Sequence, residues 1–176
     1  PVEGTKMRSI DIHAHLVPRC LINGIQRGNS WHGITLEKDD RGYDAVKCGP
    51  VRMTLGRALT WNAEERLADM DSLGVDMQVV SIMPLLYSYD ADPTNASAIA
   101  RETNDEIASM VSEWPQRFSG LATLPMQDIK ASVFELERAV GQLGLKGVIV
   151  DDTVNGRRYD DPEYLPLFQA AERTGA

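Results

Sequence analysis

The chain has 176 residues, 43% hydrophobic and 25% charged, with a formal net charge of −8, the make-up of a soluble globular domain with a core of its own. The acidic balance argues against a nucleic-acid binder, which needs a basic patch, and no apolar run approaches the ~20 residues that span a bilayer. The opening PVEGTKMRSI lacks a signal peptide's apolar core, and Cys20 and Cys48 form neither a CxxC pair nor a disulfide framework, so the cytoplasm is the expected compartment.

The first element is a strand over Ser9–His15 (SIDIHAH). Residues 16–60 break any regular rhythm; WHGITLEKDD, RGYDAVKCG and PVRMT read as small antiparallel strands joined by Gly- and Asp-rich turns. They are expected to form an insertion that covers one end of the domain. A helix then starts at Asn62, with Glu65 as its capping-box partner and Gly74 as its stop. The strand Met77–Pro84 (MQVVSIMP) follows, and a second helix opens at Asp92-Pro93 with Ile99, Ile107, Met110 and Trp114 on one face. Phe118–Pro125 is the third strand. A helix from about Asp128 to Leu143 carries Ile129, Val133, Leu136 and Val140 at helical spacing. Leu145–Asp151 is the fourth strand, and a last helix opens at Asp161-Pro162, with Tyr164, Phe168 and Ala171 inward.

Short apolar strands alternating with helices mean right-handed βαβ units and a parallel sheet. Four such units are half of a (β/α)8 TIM barrel, which needs ~250 residues. Residues 1–176 are therefore expected to be the N-terminal half of one α/β barrel domain, completed by a C-terminal half or by another chain. A doubly wound sheet of four or five strands is the competing fold.

Only three histidines occur, and two of them, His13 and His15, lie two residues apart in one strand. Alternation places them on one face at ~6.6–6.8 Å, a spacing from which both imidazoles reach one ion through bonds of ~2.0–2.1 Å. Asp11 should share that face and orient an imidazole, or else cap a neighbouring backbone group. The plainer reading is a pair of satisfied core histidines, although two adjacent buried imidazoles are hard to satisfy. His32 in WHG is expected at the surface of the insertion.

The motif IDIHAHLVP at 10–18 resembles the opening strand of the amidohydrolase superfamily. PVRM at 50–53, WNAEERLADMDSLGVDMQVVS at 61–81, WPQRFSGLATLPMQD at 114–128 and GLKGVIVDDTVNGRRYDDPEYLPLFQAAE at 144–172 are similar to its aminocarboxymuconate-semialdehyde decarboxylase branch. The resemblance implies a metal-dependent barrel that removes CO2 from small unsaturated or aromatic carboxylates. It implies a divalent metal, zinc or else manganese, with His13 and His15 as ligands, and Arg52 as the grip on a substrate carboxylate. The family completes its site with two further histidines and an aspartate, whereas no histidine follows His32 here. Where the family often has Thr-His-Val-Asn after the fourth strand, this chain has Asp152-Thr153-Val154-Asn155. The next ligand is expected on a strand after Ala176.

Other candidates read as structural. Arg66 and Asp71 suggest an ion pair or solvated face. Pro84, Tyr87 and Tyr89 lie on a βα loop where substrates bind, but packing is the commoner role. Cys20 and Cys48 are expected to be inert, and the acidic stretches Glu102–Glu106 and Asp160–Glu163 to be helix faces and caps. The functional expectation is a metal-dependent decarboxylase, homo-oligomeric or associated with the missing half. A hydrolase or hydratase of the same superfamily and a non-catalytic flavodoxin-like domain stand as alternatives.

Overall fold

The computed structural model describes residues 8–176. Its strands are β1 Ile10–Leu16, β2 Thr35–Lys38, β3 Asp44–Cys48, β4 Val51–Thr54, β5 Met77–Ile82 and β6 Phe118–Gly120. The helices are α1 Arg19–Gly28, α2 Ala63–Leu73, α3 Pro93–Glu113, α4 Ile129–Gly141 and α5 Leu165–Thr174, with 3-10 turns at Arg57–Thr60, Pro84–Tyr87 and Pro162–Tyr164.

β1, β5 and β6 form a parallel sheet in sequential order. A fourth segment joins beyond β6: Lys146 N donates to Gly120 O, and Ala122 and Gly147 to Ile149 continue the contact through bonds of 2.9 Å. Sequential order with a helix between neighbours is the winding of a barrel wall, and it excludes the doubly wound alternative. The expected fourth strand needs correcting, because Leu145–Asp151 makes only one isolated parallel bridge, Ala122 to Val148. The expected third strand, Phe118–Pro125, likewise shortens to three residues. The early end of the third strand has a local cause. Thr123 donates its N–H to Asn104 Oδ1 and accepts from Asn104 Nδ2, each at 2.9 Å, so its backbone is unavailable to the ladder.

The caps read from sequence are present. Asn62 Oδ1 accepts from Glu65 N at 2.8 Å, Glu65 Oε2 accepts from Asn62 N at 3.0 Å, and Gly74 ends α2 at φ 70°. Asp92 and Asp128 cap α3 and α4. The last helix differs in phase. Its first turn is 3-10 and becomes α at Leu165, so Tyr164, Leu167 and Ala170 are the buried set, while Phe168 is 50% exposed.

Two apolar clusters result. One lies between sheet and helices: Ala14, Leu16, Met70, Val80, Ile107, Phe118, Ala139 and Leu145. The other joins the insertion to the strand ends, with Leu21, Trp31, Ile34 and Val46 against Ile82, Leu86, Ile99, Leu124 and Tyr164. Residues 16–60 do contain the expected antiparallel sheet, in order β2-β3-β4. They also contain α1, which the sequence reading did not anticipate. By sharing a core with the sheet, the insertion is held rigidly over the C-terminal ends of β1 and β5.

Candidate metal centre

β1 is not a regular strand. Asp11 pairs with Gln78 and Ala14 with Val80, so three steps on β1 match two on β5. This bulge at Ile12 and His13 reverses the side-chain alternation across it. Asp11 therefore shares the face of Gln78, whose Nε2 donates to Asp11 Oδ2 at 3.1 Å, and not the face of His15, which pairs with Ser81. Asp11 Oδ1 also accepts from His13 N at 3.1 Å, closing a local turn at the bulge. The expectation that Asp11 lies with the histidines is thereby corrected; it acts on the backbone of His13.

The two imidazoles do come together. Their ring centroids are 4.5 Å apart, edge to face, with His13 exposed and His15 half-buried. His15 Nδ1 lies 3.1 Å from Ser81 Oγ on the buried strand β5. With the proton on Nδ1 and donated to Ser81, the Nε2 lone pair is left for a metal, the usual arrangement of a ligating histidine. Desolvation and the neighbouring His13 lower the pKa of His15, which favours the neutral imidazole that metals require. Ser81 was missed by sequence reasoning; its one signal is a hydroxyl inside the otherwise apolar VVSIM.

Arg66, 5% exposed, supports the end of the strand from α2. Its Nη2 donates to His15 O at 2.7 Å and to Ala58 O at 3.3 Å, tying the histidine strand to the 3-10 turn Arg57–Thr60. Val17 N donates to Leu59 O at 2.8 Å on the same seam. Of the two structural readings of Arg66 and Asp71, a mutual ion pair is not formed; Asp71 is exposed and meets Arg117 at 2.7 Å. Two converging imidazoles fit a divalent metal as two of its ligands. Among the described residues, no group of three His, Cys, Asp or Glu side chains is placed to hold one, and a catalytic site needs about three protein ligands.

Arg52 lies on β4, 3.7 Å from Glu37 and 3.5 Å from Asp40, and lines the concavity between the β2-β3-β4 sheet and the 3-10 turn Arg57–Thr60. His32 sits in the insertion at φ 49° with Nε2 2.8 Å from Glu102. Tyr87 and Tyr89 are buried and stacked at 5.6 Å, as packing residues are. Burial and Asp151 push the Tyr87 hydroxyl up to about 12. Beside them, Tyr159 Oη donates to Asp151 O at 2.7 Å and Asn155 Nδ2 to Tyr89 O at 2.7 Å, so the loop after the fourth segment is strapped to the β5 loop. Cys20 and Cys48 are both free, and burial and Glu106 raise the Cys20 thiol far above its ordinary value. The acidic stretches serve as caps and anchors: Glu106 accepts from Arg19 N and Cys20 N at the start of α1, Glu102 accepts from Trp31 Nε1, and Asp161 caps the turn before α5.

Comparison with known proteins agrees with this architecture. The family profile described as amidohydrolase matches residues 10–176. A 2-amino-3-carboxymuconate-6-semialdehyde decarboxylase from Dictyostelium discoideum is 34% identical over 180 residues, covering 95% of this chain and 46% of the relative. The crystal structure of 5-carboxyvanillate decarboxylase from Sphingomonas paucimobilis superposes with TM-score 0.74 at 27% identity, over 97% of this chain and 50% of that one. A dihydroxybenzoic acid decarboxylase from Polaromonas sp. JS666, solved with bound manganese and 2-nitroresorcinol, shares the fold with TM-score 0.68 at 24% identity, over 96% and 47%. The chain thus spans about half the length of the curated relatives it matches. No described helix is long and apolar enough to cross a membrane.

Proposed function

Because this chain belongs to the amidohydrolase family, we propose that it is the N-terminal half of a single metal-dependent barrel that decarboxylates a small unsaturated or aromatic carboxylate. The observation that carries the reading is the imidazole pair at the end of β1, 4.5 Å apart. His13 and His15 would hold the metal as two of its ligands, with zinc as the ion and manganese as the alternative, and the remaining ligands come from outside this chain's described residues. A bound divalent ion stabilises negative charge on substrate oxygen. Ser81 fixes the ring of His15, and Arg66 fixes the backbone that carries it. Arg52 remains the proposed carboxylate grip, on the strength of its planar paired donors and its loose present partners. The relatives named above act on small carboxylates, and two free cysteines fit a reducing compartment, the cytoplasm on this reading. Assembly as a homo-oligomer belongs to the same proposal.

A metal-activated water at the same imidazole pair would instead serve hydrolysis or hydration. Product analysis decides between them. The full-length protein, incubated with 5-carboxyvanillate, dihydroxybenzoate and an aminocarboxymuconate semialdehyde, should release CO2 from at least one. His13→Ala should remove most bound metal and at least 100-fold of the turnover, on the order expected for a lost ligand and its charge stabilisation. Hydrolysis or hydration products without CO2 would overturn the decarboxylase reading. Undiminished metal content in His13→Ala would overturn the site.

A further inference from the structure

Behind β1, on the face of the sheet turned to α2 and opposite that of His15 and Ser81, Asp11, Ala14, Arg66, Asp69 and Gln78 help to line a pocket of about 190 Å3. Two bonds run from this pocket into the backbone of the imidazole pair. Asp11 Oδ1 accepts from His13 N at 3.1 Å, and Arg66 Nη2 donates to His15 O at 2.7 Å. The strand is thus gripped at both histidines from the face that their rings do not occupy.

The first grip belongs to the bulge. A carboxylate that accepts from the amide two residues on forms an Asx turn. It satisfies His13 N outside the ladder, so the extra residue of β1 leaves that donor paired. A bulge bends its strand and re-aims the side chains beside it. Gln78 in turn holds Asp11. Its Nε2 donates to Asp11 Oδ2 at 3.1 Å, while among the described residues its Oε1 is buried without a partner. An unmade acceptor is unfavourable in the interior, and an apolar side chain at this position would avoid it. The amide therefore serves its one bond, the bond to Asp11.

We propose that Asp11 and Gln78 are a positioning pair for the metal: the Gln78 amide fixes the Asp11 carboxylate, and the carboxylate sets the angle from which His13 meets the ion. This rests on His13 and His15 being the metal centre, and on nothing about the reaction catalysed. Both residues act from the opposite face of the sheet, through the backbone.

The test uses the full-length protein and three readouts: zinc affinity by competition with a chelator, the visible spectrum of the cobalt-substituted protein, and the urea midpoint of the metal-free protein. Asp11→Ala should weaken zinc binding roughly 10- to 100-fold, the scale on which partners of ligating residues act. Gln78→Leu, which leaves the carboxylate in place but unheld, should weaken it about 3- to 10-fold, the value of one ordinary hydrogen bond. Both should shift the cobalt bands, and Gln78→Leu carries the comparison if Asp11→Ala does not fold. Asp11→Asn should restore most of the affinity, because its amide oxygen still accepts from His13 N and Gln78 can turn over to accept from its nitrogen. Wild-type zinc affinity and cobalt bands in Asp11→Ala and Gln78→Leu, with or without a lower urea midpoint, would overturn the proposal. His13→Ala, measured beside them, separates that result from failure of the metal centre. Loss of zinc affinity in His13→Ala alone leaves the centre standing and removes the positioning pair; a His13→Ala protein that binds zinc as wild type does removes both.

Discussion

Ser81 is the side chain on which the orientation of His15 depends, and it touches no residue of its own strand in doing so. Replacing it with alanine removes one hydrogen bond and leaves the His15 ring free to turn about its side-chain torsions. Ser81→Ala should therefore weaken metal binding roughly 10- to 100-fold, the usual penalty for losing the partner of a ligating histidine. Competition with a chelator of known affinity measures this; an unchanged metal affinity would reduce Ser81 to a space-filling role. The His13–His15 pair was legible in the sequence because two-residue spacing in a strand needs no knowledge of the rest of the fold. Ser81 was not, since its partnership crosses strands and requires the register between β1 and β5. Asp11 was misplaced for a related reason: alternation was counted along an ideal strand, and the bulge at Ile12 and His13 resets the count.

The packing of whole elements sets what the sheet tolerates. Gly120 ends β6 under α3, and a Cβ there would sit 2.6 Å from Ile107 Cγ2 and 2.8 Å from Leu145 Cδ2. Both neighbours are fully buried, so relief means moving α3 or the fourth segment. Gly120→Ala should cost about 1–3 kcal/mol, read as a lower urea midpoint with unchanged slope; a neutral result would show that the seam between β6 and Leu145 is softer than its contacts imply. Helices α2 and α3 were legible to their caps, because Asn62, Glu65, Gly74, Asp92 and Pro93 act locally. The helix α1 was not. Its sequence RCLINGIQRG holds two glycines and begins after Pro18, which caps nothing by side chain. The cap comes from Glu106 on another helix, and no local reading finds a partner 87 residues away. The third and fourth strands were placed correctly but drawn too long, and the third is interrupted by Asn104 on α3, a contact that no local pattern announces.

At the scale of the whole molecule, α3 fastens the insertion to the barrel wall. Glu102 and Glu106, one turn apart, hold Trp31, His32 and the first amides of α1. Glu106→Ala should cost about 1–2 kcal/mol, as the loss of a helix cap does, and the effect should be local. Hydrogen exchange should quicken in α1 while β5 keeps its protection; uniform loss of protection would instead mean that insertion and sheet unfold as one. The same two carboxylates also set a clock. Residues 19–32 leave a ribosome 70 to 90 residues ahead of the helix that secures them, with separations of 87 and 71 residues for the Arg19 and Trp31 contacts. At about 5–20 residues per second, that is roughly 4–17 s of waiting. Throughout that interval Leu21, Trp31 and Ile34, all buried in the finished fold, have no wall to dock on. The nascent chain should then be most open to chaperones and proteases while α3 is still being made, and slowing translation between residues 35 and 100 should lengthen that vulnerability without altering the final structure.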